Sequence, residues 1–304
     1  MSPGVRVPLK STFSIVAVDA AAGEVGCAVQ SKYFSVGSVV PWAKAGVGAV
    51  ATQAAGVAAY GPRVLALLED GLAPHSALDR ALAADEGRET RQLGVVSADG
   101  RAASHTGAEC LAWAGHRVGD GYAVQGNILA GEAVVVGMER AFLETPGTLA
   151  ERLVSALEAG QVAGGDSRGQ QSAAIVVERA GAAAESREGI DRVCELRVED
   201  HSEPIKELRR LLDIHLVWDA LRRATAFHSP GMYARGADLL REHLVTKGES
   251  PVLLYDLACM EALAGDVESA AEHLARSLEL DPGLRAGAEA DPDLEAIRQA
   301  GLFR

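Results

Sequence analysis

Residues 12–31 read TFSIVAVDAAAGEVGCAVQS. Two apolar, β-prone runs, Thr12–Asp19 and Glu24–Ser31, flank the small turn-like segment 20–23. That pattern predicts a β-hairpin. Residues 45–53, AGVGAVATQ, are almost all small or β-branched. A strand of this kind is expected to be covered on both faces.

The period then changes. Val64, Leu65, Leu67, Leu68 and Leu72 recur at helical spacing, and Gly71 suits a helix end. Leu78 and Leu82 extend the pattern over 76–84. Segments 92–97 and 101–106 flank the Asp99-Gly100 turn, a second hairpin signal. A short strand over 122–127, helices over 132–143 and 149–159, and closing strands over 172–178 and 193–198 follow. Hairpins imply antiparallel sheets. Paired sheets with a helical layer on each outer side satisfy this order, giving an α+β chain with a four-layer αββα sandwich. A doubly wound parallel sheet requires regular βαβ alternation, which is absent.

From Pro204 no strand signal follows, and Leu208, Leu211, Leu212 and Leu216 line one side of a helix. Residues 251–282 read PVLLYDLACMEALAGDVESAAEHLARSLELDP. Ala258 and Ala270 let two antiparallel helices approach around a Gly265-Asp266 turn. This resembles a tetratricopeptide repeat. One repeat length earlier, Gly236, Leu240 and Leu244 fall under Ala270, Leu274 and Leu278. The expected division is a leader at 1–11, a sandwich domain at 12–203 and a helical domain at 204–304. Few repeats need neighbours to cover their apolar faces. The helical tail is therefore expected to pack on the first domain, on a second subunit of a homodimer, or on a protein partner.

Composition excludes several classes. The net charge is −13, which repels phosphate backbones and argues against nucleic acid. No apolar run is long enough to span a membrane, and MSPGVRVPLKS has no apolar signal region. The four cysteines, at 27, 110, 194 and 259, are far apart and form no zinc spacing. Reduced thiols fit a cytoplasmic protein. There is no HExxH, no GxSxG and no P-loop, so no metal and no cofactor is expected.

The segments TFSIVAVD, GCAVQSKYFSVGSVVPWAKAGVGAVATQ, YGPRVLALL, RQLGVV, GYAVQGNIL and GGDSRGQQSAAIVV are similar to a bacterial family, domain of unknown function 1028, grouped with the Ntn hydrolases. Two departures stand out. His105 replaces an aromatic before Thr106-Gly107, and AAGVAA before Tyr60 lacks an Asn-Pro. The resemblance implies an Ntn-type amidohydrolase cleaving a small amide or peptide. Its nucleophile would be Thr12, which opens the first strand. The α-amino group of Thr12 would serve as base once residues 1–11 are removed, since such an amine titrates near neutrality. Proteasome-type relatives imply Lys44 as a charge favouring the ionised nucleophile. Gly56, after the third strand, and Asn127, at a strand end, are expected to stabilise an oxyanion. Gln30 is expected beside them. In the loop 164–172, Asp166, Arg168 and Gln171 are expected to bind a substrate with amino and carboxylate groups. The alternative is a binding or scaffold protein on the same fold.

Overall fold

The computed structural model describes residues 12–185 and 189–303. The expected leader at 1–11 lies outside the described residues. The chain is α+β. It begins with β1 (Thr12–Asp19), β2 (Glu24–Ser31), β3 (Pro41–Lys44) and β4 (Gly48–Ala54). Helices α1 (Tyr60–Glu69) and α2 (Pro74–Leu82) follow, then β5 (Arg91–Ser97), β6 (Ala102–Thr106), β7 (Gly115–Gly119) and β8 (Tyr122–Asn127). Next come α3 (Ala133–Glu144), α4 (Leu149–Val162), β9 (Ser172–Arg179), α5 (Ala182–Glu185) and β10 (Arg192–Val198).

The strands form two antiparallel sheets. One has the order β10-β9-β2-β1-β8-β7 and the other β3-β4-β5-β6. The hairpin register pairs Thr12 with Ser31 and Asp19 with Glu24. Two strands were not legible as separate elements. The stretch 45–53 is the second arm of a hairpin whose first arm is β3, and β7 is the edge strand beside β8.

Alternation decides what each face covers. Ala49 and Ala51 join Val16, Cys27 and Val29 in a cluster between the sheets. Val50 points the other way, with Leu93 and Val95, onto Val64, Leu65 and Leu68 of α1 and Ala77 and Leu78 of α2. On the six-stranded sheet α4 packs against β1, β2 and β9. A Cβ on Gly26 would lie 2.9 Å from Leu153 Cδ1, and one on Gly160 would lie 2.8 Å from Met138 Cγ. Gly26 is therefore demanded by close helix–strand approach and Gly160 by close approach of α3 to α4. A capping box between Thr148 and Glu151 starts α4.

One compact unit ends at Leu212 and a second begins at Asp213. The division falls inside α6 (Pro204–Thr225), later than the expected boundary at 203. Leu208 and Leu212 are fully buried within the single chain.

The second unit continues with α7 (Tyr233–Lys247), α8 (Pro251–Ala264), α9 (Val267–Leu280), α10 (Arg285–Ala290) and α11 (Glu295–Gln299). Gly265 closes α8 at φ 92°, a left-handed geometry suited to glycine. Asp266 then caps α9 by accepting from the Ser269 N–H. Ala258, Ala270, Leu274 and Leu278 are buried together, as the spacing requires. No helix among the described residues is long and apolar enough to cross a membrane.

Glu261 ties three of these helices. Its Oε1 accepts from Arg241 Nη2 at 2.7 Å and its Oε2 meets His273 Nδ1 at 2.7 Å. Glu261 itself is fully buried. The hydrogen bond to Glu261 raises the His273 pKa above its ordinary value. A group whose folded pKa is raised stabilises fully below its unfolded pKa and loses that contribution as pH rises through the folded one. His273→Ala is therefore expected to destabilise more near pH 5.5 than near pH 8.5 in urea unfolding. Glu261→Ala, which removes the buried carboxylate shared by Arg241 and His273 while Arg241 keeps Asp238 at 2.9 Å, is expected to cost about 2–4 kcal/mol at neutral pH. Equal His273→Ala losses at both pH values would contradict the assigned coupling.

Candidate functional site

Thr12 opens β1 at one end of the six-stranded sheet. The register places Ser31 on one side of it and Asn127 on the other, with Ser172 beyond Ser31. β-branched Thr suits a strand, and its even-numbered neighbours Ser14 and Val16 share its face. That face looks toward the four-stranded sheet, where Gln53 ends β4 and Gln92 opens β5. Thr12 and Ser14 are fully buried, and so are Gln53, Gln92 and Gln125.

These polar residues hydrogen-bond one another, with Gln125 Oε1 left without a partner among the described residues. Thr12 Oγ1 donates to Ser31 Oγ at 3.1 Å. Gln53 Nε2 donates to the Thr12 carbonyl at 3.3 Å, and Gln53 Oε1 accepts from Ser14 Oγ at 2.7 Å. Asn127 Nδ2 donates to Gln92 Oε1 at 2.9 Å. Gln125 Nε2 donates to Ser14 Oγ at 2.6 Å. All of these side chains are uncharged. A buried charge among them would need a paired counter-charge, whereas carboxamides and hydroxyls need only hydrogen bonds.

The network reaches the surface along one line. Gln92 Nε2 donates to Thr106 Oγ1 at 3.0 Å, and Thr106 Oγ1 meets His116 Nδ1 at 2.8 Å. Burial and, less strongly, the neighbouring His105 push the His116 pKa below its ordinary value. The imidazole is thus neutral at physiological pH. The nearby Cys110 thiol donates to the Arg91 carbonyl at 3.4 Å.

Other expected residues fall in three places. Asn127 lies beside Thr12, as described. Gln30 pairs in register with Phe13, so it shares the opposite face of the sheet, away from the Thr12 hydroxyl. A Cβ on Gly160 of α4 would touch Phe13, which identifies that face as the helix-covered one. Gln30 is fully buried, and neither amide atom of its side chain has a hydrogen-bond partner among the described residues. Period 2 along the strand thus removes Gln30 from the nucleophile's surroundings.

Asp166, Arg168 and Gln171 stand just beyond the end of β2. Asp166 accepts from the Lys32 backbone N–H at 3.0 Å, the Arg168 N–H at 2.9 Å and Arg168 Nη2 at 3.3 Å. Gln171 donates its backbone N–H to the Ser31 carbonyl at 3.1 Å and its side chain to Asp200 at 3.0 Å. Asp166 and Arg168 therefore neutralise each other and lock the loop onto the strand that carries Ser31. Gly56 lies past the same end of β4 as Gln53. A Cβ there would lie 3.1 Å from the Thr52 carbonyl oxygen.

Lys44 is not brought to Thr12. It pairs with Gly48, at the end of β4 opposite Gln53. Five residues of extended strand separate the two ends, about 16 Å. Its ammonium binds Glu69 at 2.6 Å instead. Spacing in sequence was met, but the β3–β4 hairpin turns the lysine to the far end of the sheet.

Ser14, Ser31, Gln53 and Gln92 were missed as site residues. A signal was present for Gln53 and Gln92, because a glutamine interrupts each of the runs AVATQA and RQLGVV, whereas Ser14 and Ser31 carry none. Among the described residues the grouping with metal-ligand spacing is Cys259, Asp291 and Asp293, in the second unit. Tyr255 and His228 already bond those carboxylates, at 2.8 and 2.9 Å. A cleft of about 120 Å³ lined by Trp42, Arg192 and Arg197 does not include Thr12.

Packing of the network is tight enough to test. A Cβ on Gly94 would sit 2.0 Å from Gln125 Oε1. Gly94→Ala is expected to displace Gln125 from Ser14 and to cost about 1–3 kcal/mol in chemical denaturation. An unchanged midpoint would show that Gln125 is not held there.

Comparison with known proteins supplies the lineage. Residues 12–208 match a family model described as a family of unknown function, DUF1028. The crystal structure of protein SPO2555 from Silicibacter pomeroyi, titled with the same family, is similar at 30% identity and a TM-score of 0.62. The match covers 70% of this chain and 90% of that one. No curated protein matches. The matched region holds every residue of the Thr12 network, and on this ground the chain belongs to the DUF1028 family.

Proposed function

We propose that this protein is an Ntn-type amidohydrolase that cleaves a small amide through Thr12, after residues 1–11 are removed. The observation carrying this reading is the position of Thr12. It opens a central strand, its hydroxyl sits between two sheets, and its neighbours Ser31, Gln53 and Asn127 are polar and buried. Sheets stacked between helical pairs support reading the fold as the αββα sandwich of the Ntn hydrolases.

The chemistry follows from a free Thr12 amine. The amine takes the hydroxyl proton as Oγ1 attacks the substrate carbonyl carbon. A tetrahedral oxyanion forms. Asn127 and the Gly56 N–H are the proposed groups that stabilise it. Collapse breaks the C–N bond, and the ammonium returns its proton to the leaving amine. An ester on Thr12 remains. Water, deprotonated by the same amine, attacks the ester carbon; the C–Oγ1 bond breaks, the ammonium returns the proton to Thr12 Oγ1, and the carboxylic acid leaves. Lys44 has no part in this scheme.

The Thr12 hydroxyl is wholly enclosed in the full chain. Leader removal frees the amine, and catalysis further requires a path for substrate to that hydroxyl. The alternative, a non-catalytic binding protein, is favoured by the pairing of Lys44 with Glu69. Homodimerisation and docking of a protein partner by the tetratricopeptide-like tail belong to either reading. Intact mass and N-terminal sequence of purified protein distinguish them. The hydrolase reading expects a chain beginning at Thr12 that hydrolyses small amides. It expects Thr12→Ala to lower kcat at least about a thousandfold. A mature chain that retains residues 1–11 favours the binding protein, and full activity in Thr12→Ala rules out Thr12 as the nucleophile.

A further inference from the structure

Gln92 sits at the branch point of the buried network. It is fully buried at the start of β5. Its Nε2 faces the Gly126 carbonyl at 2.8 Å, the Gly115 carbonyl at 3.2 Å and Thr106 Oγ1 at 3.0 Å. Backbone carbonyls only accept hydrogen bonds, so the atom facing them must be the donor nitrogen. The amide cannot be turned over. Its Oε1 therefore faces the opposite way and must accept.

That single constraint propagates. Gln53 Nε2 meets Gln92 Oε1 at 2.8 Å, and Asn127 Nδ2 meets it at 2.9 Å. Both must present nitrogen there. With its nitrogen so placed, Gln53 reaches the Thr12 carbonyl at 3.3 Å and the Gln125 carbonyl at 3.4 Å. Its oxygen is left for the Ser14 hydroxyl, at 2.7 Å. Turning Gln53 over would set its oxygen against three other oxygens. The orientations of Gln92, Gln53 and Asn127 thus descend from two backbone carbonyls of the β7–β8 pair, while Gln125 is oriented separately, its Nε2 donating to the Ser14 carbonyl at 3.2 Å.

We propose that Gln92 is a positioning residue for the Thr12 site: through Gln53 it fixes the carbonyl of Thr12, and through Asn127 the amide beside it. This assignment rests on the Thr12 hydrolase reading for its function, but its wiring is independent of that reading. Gln92 touches no reacting atom. It acts by holding the first peptide unit of β1 at one orientation, which sets the direction of the Thr12 hydroxyl and amine.

The test uses ¹⁵N-labelled full chain and two variants. Gln92→Met keeps the length of the side chain but removes both donor and acceptor. Gln92→Glu keeps the shape. When protonated, its carboxyl both donates to Gly126 and accepts from Gln53 and Asn127; when ionised it has no donor. The readout is hydrogen exchange of the Gln53 and Asn127 side-chain amides. Gln92→Met is expected to speed their exchange at least about tenfold, with backbone exchange in α1 and α4 unchanged. Gln92→Glu is expected to match wild type at the same pH while its carboxyl is protonated, a range that burial extends well above that of an exposed glutamate, and to show the loss at higher pH once it ionises. If the two amides exchange alike in wild type and Gln92→Met, the assignment is overturned, and so it is if Gln92→Glu fails to match wild type in acid. A chain beginning at Thr12 adds a second arm, in which Gln92→Met is expected to lower kcat about tenfold with little change in KM. If the amides respond as expected while the wild-type Thr12 chain hydrolyses nothing, the wiring stands and the hydrolase reading fails.

Discussion

Two carbonyl oxygens, of Gly115 and Gly126, fix the polar interior of the first unit. Each can only accept, and both face the nitrogen of Gln92. Gln53 and Asn127, the carboxamides that reach Gln92 beside Thr12, are oriented to agree with that nitrogen. A buried, uncharged network of this kind is costly when any member is unpaired, about 1–3 kcal/mol for each lost partner. Its members therefore hold one another in a single pattern. The price is paid in the core, where apolar side chains give way to carboxamides and hydroxyls at one end of both sheets.

The other end is apolar and built from small side chains. Ala49, Ala51 and Ala123 meet Val16, Cys27 and Val29 there. Small residues bring the sheets close, which is what lets Gln53 span from β4 to the backbone of β1. Gly94 serves the same end, since only a residue without a Cβ leaves room for Gln125. The low aromatic content thus has a structural meaning, because close sheets leave little volume for rings.

Much of the fold was legible because it follows local periodicity. The β1–β2 hairpin, β8 and the α8–α9 pair lie where alternation, turn chemistry and helical spacing put them. β3 and β7 were not legible, because PWAK and GHRVG are short and lack a period-2 apolar pattern. The site was legible only in part. Thr12 and Asn127 could be singled out from strand ends, and register alone brings them together. The partners from β4 and β5 belong to the other sheet, and no local signal reports which sheets face each other. Lys44 was misplaced for the same reason, since interval along the chain ignores which way a hairpin turns. Gln30 was misplaced by one position of strand alternation, enough to send a side chain to the opposite face.

A nucleophile is defined by the bond it forms. The most direct measurement is to treat the chain beginning at Thr12 with an electrophilic β-lactone and map the adduct by peptide mass spectrometry. The account predicts one acyl ester, on Thr12 Oγ1, absent from Thr12→Ala. Acylation elsewhere, or none on Thr12 in the folded protein, would contradict it.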